Sequence, residues 1–454
     1  MWRTAATAVA AVALVAGTVT PAAARTGFQE CGDGLWCASL TVPADWARPD
    51  GARISLGIAK VPARERRRGS VVVNLGGPGE QIAHLPHVKD ALEDLSRSFD
   101  VVLADPRGFG RSSGVRCPSP SPQRAEWVFD DREEFDRYRA ANRGFGARCV
   151  AAAGPLAGKL DSWQVARDLE AVRVALGERR LNYFGNSYGT VFGQAYAESF
   201  PHRVGRFYLD SAFDHTERSV VDWVGERAAA DERNLHRMAA WCAEDARCAL
   251  HGRDVVGVWA EVLARAPIPT SSGGSVSAAR IVSRAFLDGP QDWAELARAL
   301  AEALGGDAGR FAVDSGARDP DLSRVVLCAD FRYPSEFGRL RELESRVRRD
   351  APLVGWRQTW VIANHCAGLP VPTTFPQHPF RADVRALVVN GDHDPVTPPA
   401  YGRRVASRLA HARYLSVPSG HAVYLSGNPC VREHVNRYFA TGVLPAAGTA
   451  CPGD

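Results

Sequence analysis

Leu181-Asn182-Tyr183-Phe184-Gly185-Asn186-Ser187-Tyr188-Gly189-Thr190 is the stretch whose reading decides the fold. A short apolar run passes into Gly-x-Ser-x-Gly, and a helical pattern then runs to Phe200. Strand, sharp turn and helix follow in that order, with Ser187 at the apex. The flanking glycines carry no Cβ, so strand and helix can come close together, and the serine is forced into strained backbone geometry. Its hydroxyl then stands exposed above the sheet edge. The helix that starts behind it aims free N–H groups at any oxyanion formed there.

Working outward, Ser70-Val71-Val72-Val73-Asn74 has the apolar, β-branched signature of a buried strand and runs into Leu75-Gly76-Gly77-Pro78-Gly79. Phe99–Ala104 is another such strand, ending in the glycine-rich turn Asp105–Ser112. Arg53–Val61 reads as an earlier strand, and residues 117–160 read as irregular with helical pieces. Ser162–Leu176 has helical spacing, with Asp161 or Ser162 to cap its start, and Val204–Leu209 is the next strand. Alternating strands and helices from 70 to 210 call for a parallel sheet covered on both faces. The expected fold class is α/β, with a mainly parallel central sheet.

The pattern then changes. Residues 213–380 are Arg/Ala/Glu-rich and mostly helical, with breaks at 267–275 and 305–320, and read as an inserted cap. The strand signature returns at Ala386–Val389 and Arg413–Val417, followed by a helix at Cys430–Tyr438. The expected organisation is a leader over 1–24, core from 25–212, cap over 213–380 and core again over 381–454.

The leader has the parts of a secretory signal peptide. Arg3 precedes an Ala/Val-rich run to about Val19, and Ala22-Ala23-Ala24 offers a cleavage site. Secretion to an extracellular setting is expected, and no later segment is apolar enough to span a bilayer. Ten cysteines, an even number, favour disulfides in such a chain. Proximity in sequence suggests 31–37, 117–149, 242–248, 328–366 and 430–451. Zinc is disfavoured, because no C-x-x-C pair occurs. Lysine occurs only at Lys60, Lys89 and Lys159, the net charge is +4, and no basic block stands out. Neither nucleic acid nor a membrane is an expected partner, and a monomer is expected.

A serine needs a base, and the base an acid to orient it. Both belong at the carboxyl ends of later strands. Asn390-Gly391-Asp392-His393-Asp394-Pro395 follows one such strand, and Asp394, deeper in the loop, is preferred to Asp392. Pro418-Ser419-Gly420-His421 follows the next and supplies His421. The order Ser187, Asp394, His421 is that of α/β-hydrolases. For the oxyanion hole the N–H of Tyr188 is one donor. The glycine loop supplies the other: Gly77 first and Gly76 second, since Pro78 has no N–H.

Together, Gly76–Gly79, Asp105–Ser112, Asn182–Thr190 and Gly391–Pro398 resemble the serine aminopeptidases of the α/β-hydrolase superfamily. These are relatives of proline iminopeptidase, and nearest are the secreted tripeptidyl aminopeptidases of filamentous soil bacteria. The resemblance implies a capped α/β-hydrolase that releases short peptides or proline from free N-termini through an acyl-enzyme, with no metal or organic cofactor. It also supports the 328–366 bridge. Glu80 stands where the family often has a small residue, and Leu75 lies where proline or histidine is frequent. Glu80 either holds a substrate ammonium or points to solvent. Asp330, Glu244 and Asp245 are further candidates for the ammonium site. A secreted esterase on the same scaffold is the alternative activity, and a catalytically silent binding protein is a third reading.

Overall fold

The computed structural model describes residues 27–453 apart from 33, 119, 123–127, 286–288 and 314–320. The expected leader over 1–24 lies outside the described residues. Eleven strands are found among the described residues: β1 (Gln29–Glu30), β2 (Trp36–Pro43), β3 (Arg53–Val61), β4 (Ser70–Asn74), β5 (Asp100–Ala104), β6 (Leu181–Asn186), β7 (Val204–Asp210), β8 (Ile268–Pro269), β9 (Ser275–Val276), β10 (Ala382–Gly391) and β11 (Leu409–Val417). Nine form one sheet in the order β1-β2-β3-β5-β4-β6-β7-β10-β11, and β8 and β9 form a separate hairpin. The six strands from β5 to β11 are parallel, and β1 to β3 add an antiparallel flank.

The apolar runs form strands buried on both faces. In β4, Val72 joins the larger core, while Val71 and Val73 join the smaller core on the other face. Period-two geometry sends neighbours to opposite faces, so a strand covered on both must be apolar throughout. The parallel register brings Asn74 opposite Gly185, Asn186 opposite Asp210, Asp210 opposite Val389 and Gly391 opposite Val417. The loops that follow β4, β6, β7, β10 and β11 therefore leave from one edge. From β4 the chain turns to β5 on one side, and from β6 to β7 on the other. This reversal is where doubly wound sheets open a crevice.

Between β7 and β10 the chain is mainly helical, with helices that include Val220–Glu244, Val255–Arg265, Pro290–Leu304, Asp321–Asp330, Phe337–Val347 and Gln358–Cys366. The first packs over the loop after β10: Arg227 Nη1 donates to the Val396 carbonyl at 2.6 Å and Asn234 Nδ2 to that of His393 at 2.8 Å. All five cysteine pairs expected from proximity are bonded.

Two local expectations need correction. The stretch read as irregular with helical pieces holds one long α-helix among its described residues, Arg132–Ala152, of 21 residues, followed by the short 3-10 turn Gly154–Leu156. Its start is capped, since the Asp131 side chain accepts from the Glu134 N–H at 2.7 Å. Its buried stripe is Phe135, Tyr138, Asn142, Phe145 and Cys149, and the Asn and the nearby glycines diluted the pattern. Gly146 is required there, because a Cβ would lie 2.6 Å from both Leu369 Cδ2 and Pro370 Cδ. β2 was not anticipated either. Much of it is exposed, so its alternation is weak.

The Asp105–Ser112 turn carries a structural charge. Arg107 is fully buried and forks onto Asp168 at 2.7 and 2.6 Å, and also donates to the Ala44 carbonyl at 2.7 Å. It thereby ties the turn after β5 to the helix Ser162–Ala175 and to the end of β2. Removing one partner strands the other charge in the interior. Arg107→Ala is expected to destabilise the fold by about 3–5 kcal/mol, read as a lowered urea midpoint with the disulfides intact.

Candidate active site

Ser187 sits between β6 and the helix Gly189–Ser199 with φ of 52°, the left-handed region that a residue with a side chain rarely occupies. Its N–H donates to the Asp210 carbonyl at 3.0 Å, and the residue is partly exposed. The glycine after the turn is a steric requirement. A Cβ on Gly189 would lie 2.5 Å from Asn74 Oδ1 and 2.7 Å from the Asn74 carbonyl oxygen.

The glycine loop after β4 lies directly against this turn. A Cβ on Gly76 would come 2.9 Å from Ser187 Cβ and 2.8 Å from the Asn186 carbonyl oxygen. The Gly76 N–H is taken by Asn74 Oδ1 at 3.0 Å. Buried Gln81 shapes the loop from beneath. Its Oε1 accepts from the Leu75 N–H at 2.6 Å, and its Nε2 donates to the carbonyls of Gly76 and Gly79 at 3.0 and 2.8 Å. Asp105 Oδ1 in turn accepts from the N–H groups of Gln81 and Ile82 at 2.7 and 2.9 Å. Sequence reasoning singled out neither side chain. The only signal for them was their position beside glycine-rich turns.

Asp394 and His421 meet at the same edge. His421 Nδ1 lies 2.7 Å from Asp394 Oδ2, which makes the ring nitrogen the donor to an ionised carboxylate. Asp394 is fully buried, yet four further contacts are seen at or near it. Its Oδ1 accepts from the N–H groups of Val396 and Thr397, both at 2.8 Å, and its Oδ2 accepts from the Thr397 hydroxyl at 2.5 Å. The Thr397 hydroxyl also lies 3.2 Å from His421 Nδ1. Burial alone would raise the Asp394 pKa. The charge and hydrogen bond of His421 and the bonds from Thr397 outweigh it and hold the carboxyl below its ordinary value. Asp392 is engaged by the Ser416 hydroxyl instead. Thr397 is a member of the site that sequence reasoning missed, although it stands three residues beyond Asp394.

The candidates for an ammonium site separate. Glu80 is exposed and lines a cleft of about 1210 Å³ beside the glycine loop, along with His87, Arg111, Leu322 and Ser323. Asp330 faces inward. It is fully buried and accepts from the Ser162 N–H at 2.8 Å, the Ser162 hydroxyl at 2.5 Å and the Tyr188 hydroxyl at 2.7 Å. Its oxygens are thus committed to joining the helix Asp321–Asp330 to the residue after Ser187, which corrects the expectation of a free anion in a cleft. Asp245 pairs with Arg247 and Glu244 is exposed at the end of its helix, about 15 Å along the axis from Asn234.

The family profile described as alpha/beta hydrolase fold matches residues 69–428. The chain is 31% identical to "Serine protease Hip1" of Mycobacterium tuberculosis, over 92% of this chain and 87% of that protein. It is 27% identical to "Tripeptidyl aminopeptidase" of Streptomyces lividans, over 92% and 83%. It is 30% identical to "Carboxylesterase B" of Mycobacterium tuberculosis, over 91% and 86%. Fold and relatives together define a serine hydrolase. The chain belongs to the α/β-hydrolase family.

Burial and the charge of Asp161 raise the Asp330 pKa from 3.8 to about 8, against the bonds from Ser162 and Tyr188. A raised carboxyl pKa contributes stability that is fully present below the unfolded value and is lost as pH rises towards the folded one. Asp330→Asn cannot titrate. Relative to the parent protein, its thermal midpoint is expected to gain steadily between pH 4 and pH 8, a window set by those two values. A gap that stays constant across that range would contradict the assignment.

Proposed function

We propose that this protein is an exported serine exopeptidase acting on peptides with free N-termini. Ser187 is the nucleophile, His421 the general base and Asp394 the acid that orients it. The observation that carries this reading is the 2.7 Å Asp394–His421 bond, at strand ends that share an edge with the strained Ser187 turn.

In the proposed cycle Ser187 Oγ attacks the scissile carbonyl and gives its proton to His421 Nε2, while Nδ1–H stays on Asp394. The tetrahedral intermediate collapses, and His421 returns the proton to the leaving amine. Water then attacks the acyl-enzyme, with His421 again taking the proton and passing it to Ser187 as the acid product leaves. Asp394 remains ionised throughout, which its low pKa favours. Negative charge on the substrate oxygen is met by the N–H groups of Tyr188 and Gly77. Gly77 is preferred to Gly76 because the Gly76 N–H is already given to Asn74.

Two observations support an exopeptidase with an ammonium site. One relative carries the name tripeptidyl aminopeptidase. Glu80 places an exposed carboxylate beside the oxyanion loop, and it is the proposed anchor for the substrate ammonium. Export is supported by the leader pattern and by five disulfides, which persist in oxidising compartments. The esterase reading keeps a place because another relative is named a carboxylesterase.

The test is a panel of free and N-acetylated peptidyl anilides of increasing length, set against p-nitrophenyl esters. Free-amine anilides are expected to be cleaved, with kcat falling on the order of 10⁴-fold or more in Ser187→Ala. Glu80→Gln is expected to raise KM on free-amine peptides by about tenfold and to leave ester turnover unchanged. Ser187-dependent turnover of esters alone would replace the peptidase reading with the esterase one.

A further inference from the structure

Ala422, the residue after His421, has φ of 61°, and Ser211, the residue after β7, has φ of 51°. Neither is glycine, and a residue with a Cβ adopts such backbone only at a cost. It persists only where the surroundings impose it. At Ala422 the imposing groups are visible. Its N–H donates to Ser211 Oγ at 2.8 Å, and the next two N–H groups, of Val423 and Tyr424, donate to the Asp210 carboxylate at 3.1 and 2.8 Å.

Residues 210 and 211 also hold the other two segments of the site. The Asp210 carbonyl accepts from the Ser187 N–H at 3.0 Å, and the Ser211 N–H donates to Val389 of β10, the strand that leads to Asp394, at 2.8 Å. One dipeptide therefore touches the backbones that carry Ser187, His421 and Asp394. We propose that Asp210 is a positioning residue of the active site, its carboxylate setting the His421 turn and its carbonyl the Ser187 turn in one register. This rests on the reading of His421 as the base.

A carboxylate is a costly choice for the place. Asp210 is fully buried, and burial pushes its pKa up to about 6, opposed by the Tyr424 N–H, the Tyr208 hydroxyl, the charge of His421 and the Val423 N–H. Tyr208 on β7, His421 in the turn after β11 and Tyr424 in the short helix Val423–Ser426 are the titratable groups around it. A neutral side chain would fill the space at lower cost. The carboxylate is the group that can accept two backbone N–H bonds at once and keep negative charge near the imidazole.

The experiment compares Asp210→Asn, Asp210→Asn with Ala422→Gly, and His421→Gln, on the best substrate of the parent protein. Asp210→Asn is expected to lower kcat by about tenfold or more with KM within about twofold. Its acid limb in kcat/KM should move to lower pH, since a negative charge near His421 is gone. Adding Ala422→Gly removes the penalty for left-handed backbone and should recover about threefold of the loss. Parental kcat and an unmoved acid limb in Asp210→Asn, beside an inactive His421→Gln, would overturn the positioning role alone. Activity retained in His421→Gln would instead remove the reading on which it rests. If Asp210→Asn does not fold, Ser211→Ala reads the same turn with the Asp210 carboxylate still in place, removing the hydroxyl that accepts from the Ala422 N–H at 2.8 Å and donates to Asp210 Oδ1 at 3.3 Å. A fall in kcat at constant KM is expected there, and unchanged kcat would overturn the proposal.

Discussion

The left-handed backbone of Ser187 is the constraint around which the C-terminal edge of the sheet is arranged. A serine in that conformation costs about 1–3 kcal/mol and holds it only under external restraint. Three restraints converge. Asp210 accepts the Ser187 N–H, Gly76 lies so near that a Cβ on it would come 2.9 Å from the serine Cβ, and Gly189 lets Asn74 lie against the first turn of the helix. They come from the ends of β7 and β4, the two strands that flank β6. The parallel register that aligns Asn74, Gly185, Asp210 and Val389 is therefore what makes the strained turn affordable.

The segment between β7 and β10 is tied into this edge. Ser323 donates to the Pro78 carbonyl in the glycine loop, and Asp330 binds the Tyr188 hydroxyl and Ser162. Arg227 and Asn234 hold the carbonyls of the loop that carries Asp394. The same helical segment thus reaches the glycine loop, Tyr188 and the loop of Asp394.

Much of this was legible in the chain. The β4 run is apolar because both sheet faces are covered, so its boundaries could be read to the residue, whereas β6 runs on through Gly185 and Asn186 beyond its apolar part. The order of Ser187, Asp394 and His421 follows from loops at successive strand ends, and local cysteine spacing gave the five bridges. What escaped has a common cause. Gln81 and Asp210 act through hydrogen bonds to backbone and Thr397 through one to the Asp394 carboxylate, none of which leaves a periodic trace. Asp330 looked like a free anion because nothing local shows that Ser162 and Tyr188, more than 140 residues away in sequence, close over it. Glycines hid the long helix Arg132–Ala152, where a close approach to Leu369 and Pro370 requires one.

The most direct test of the account is to label the purified protein with a fluorophosphonate and map the adduct by mass spectrometry. An activated serine reacts with such a reagent, whereas ordinary surface serines do not. The account predicts a single stoichiometric adduct on Ser187, with labelling lost when His421 is replaced by Gln. No adduct, or an adduct on a different serine, would contradict it.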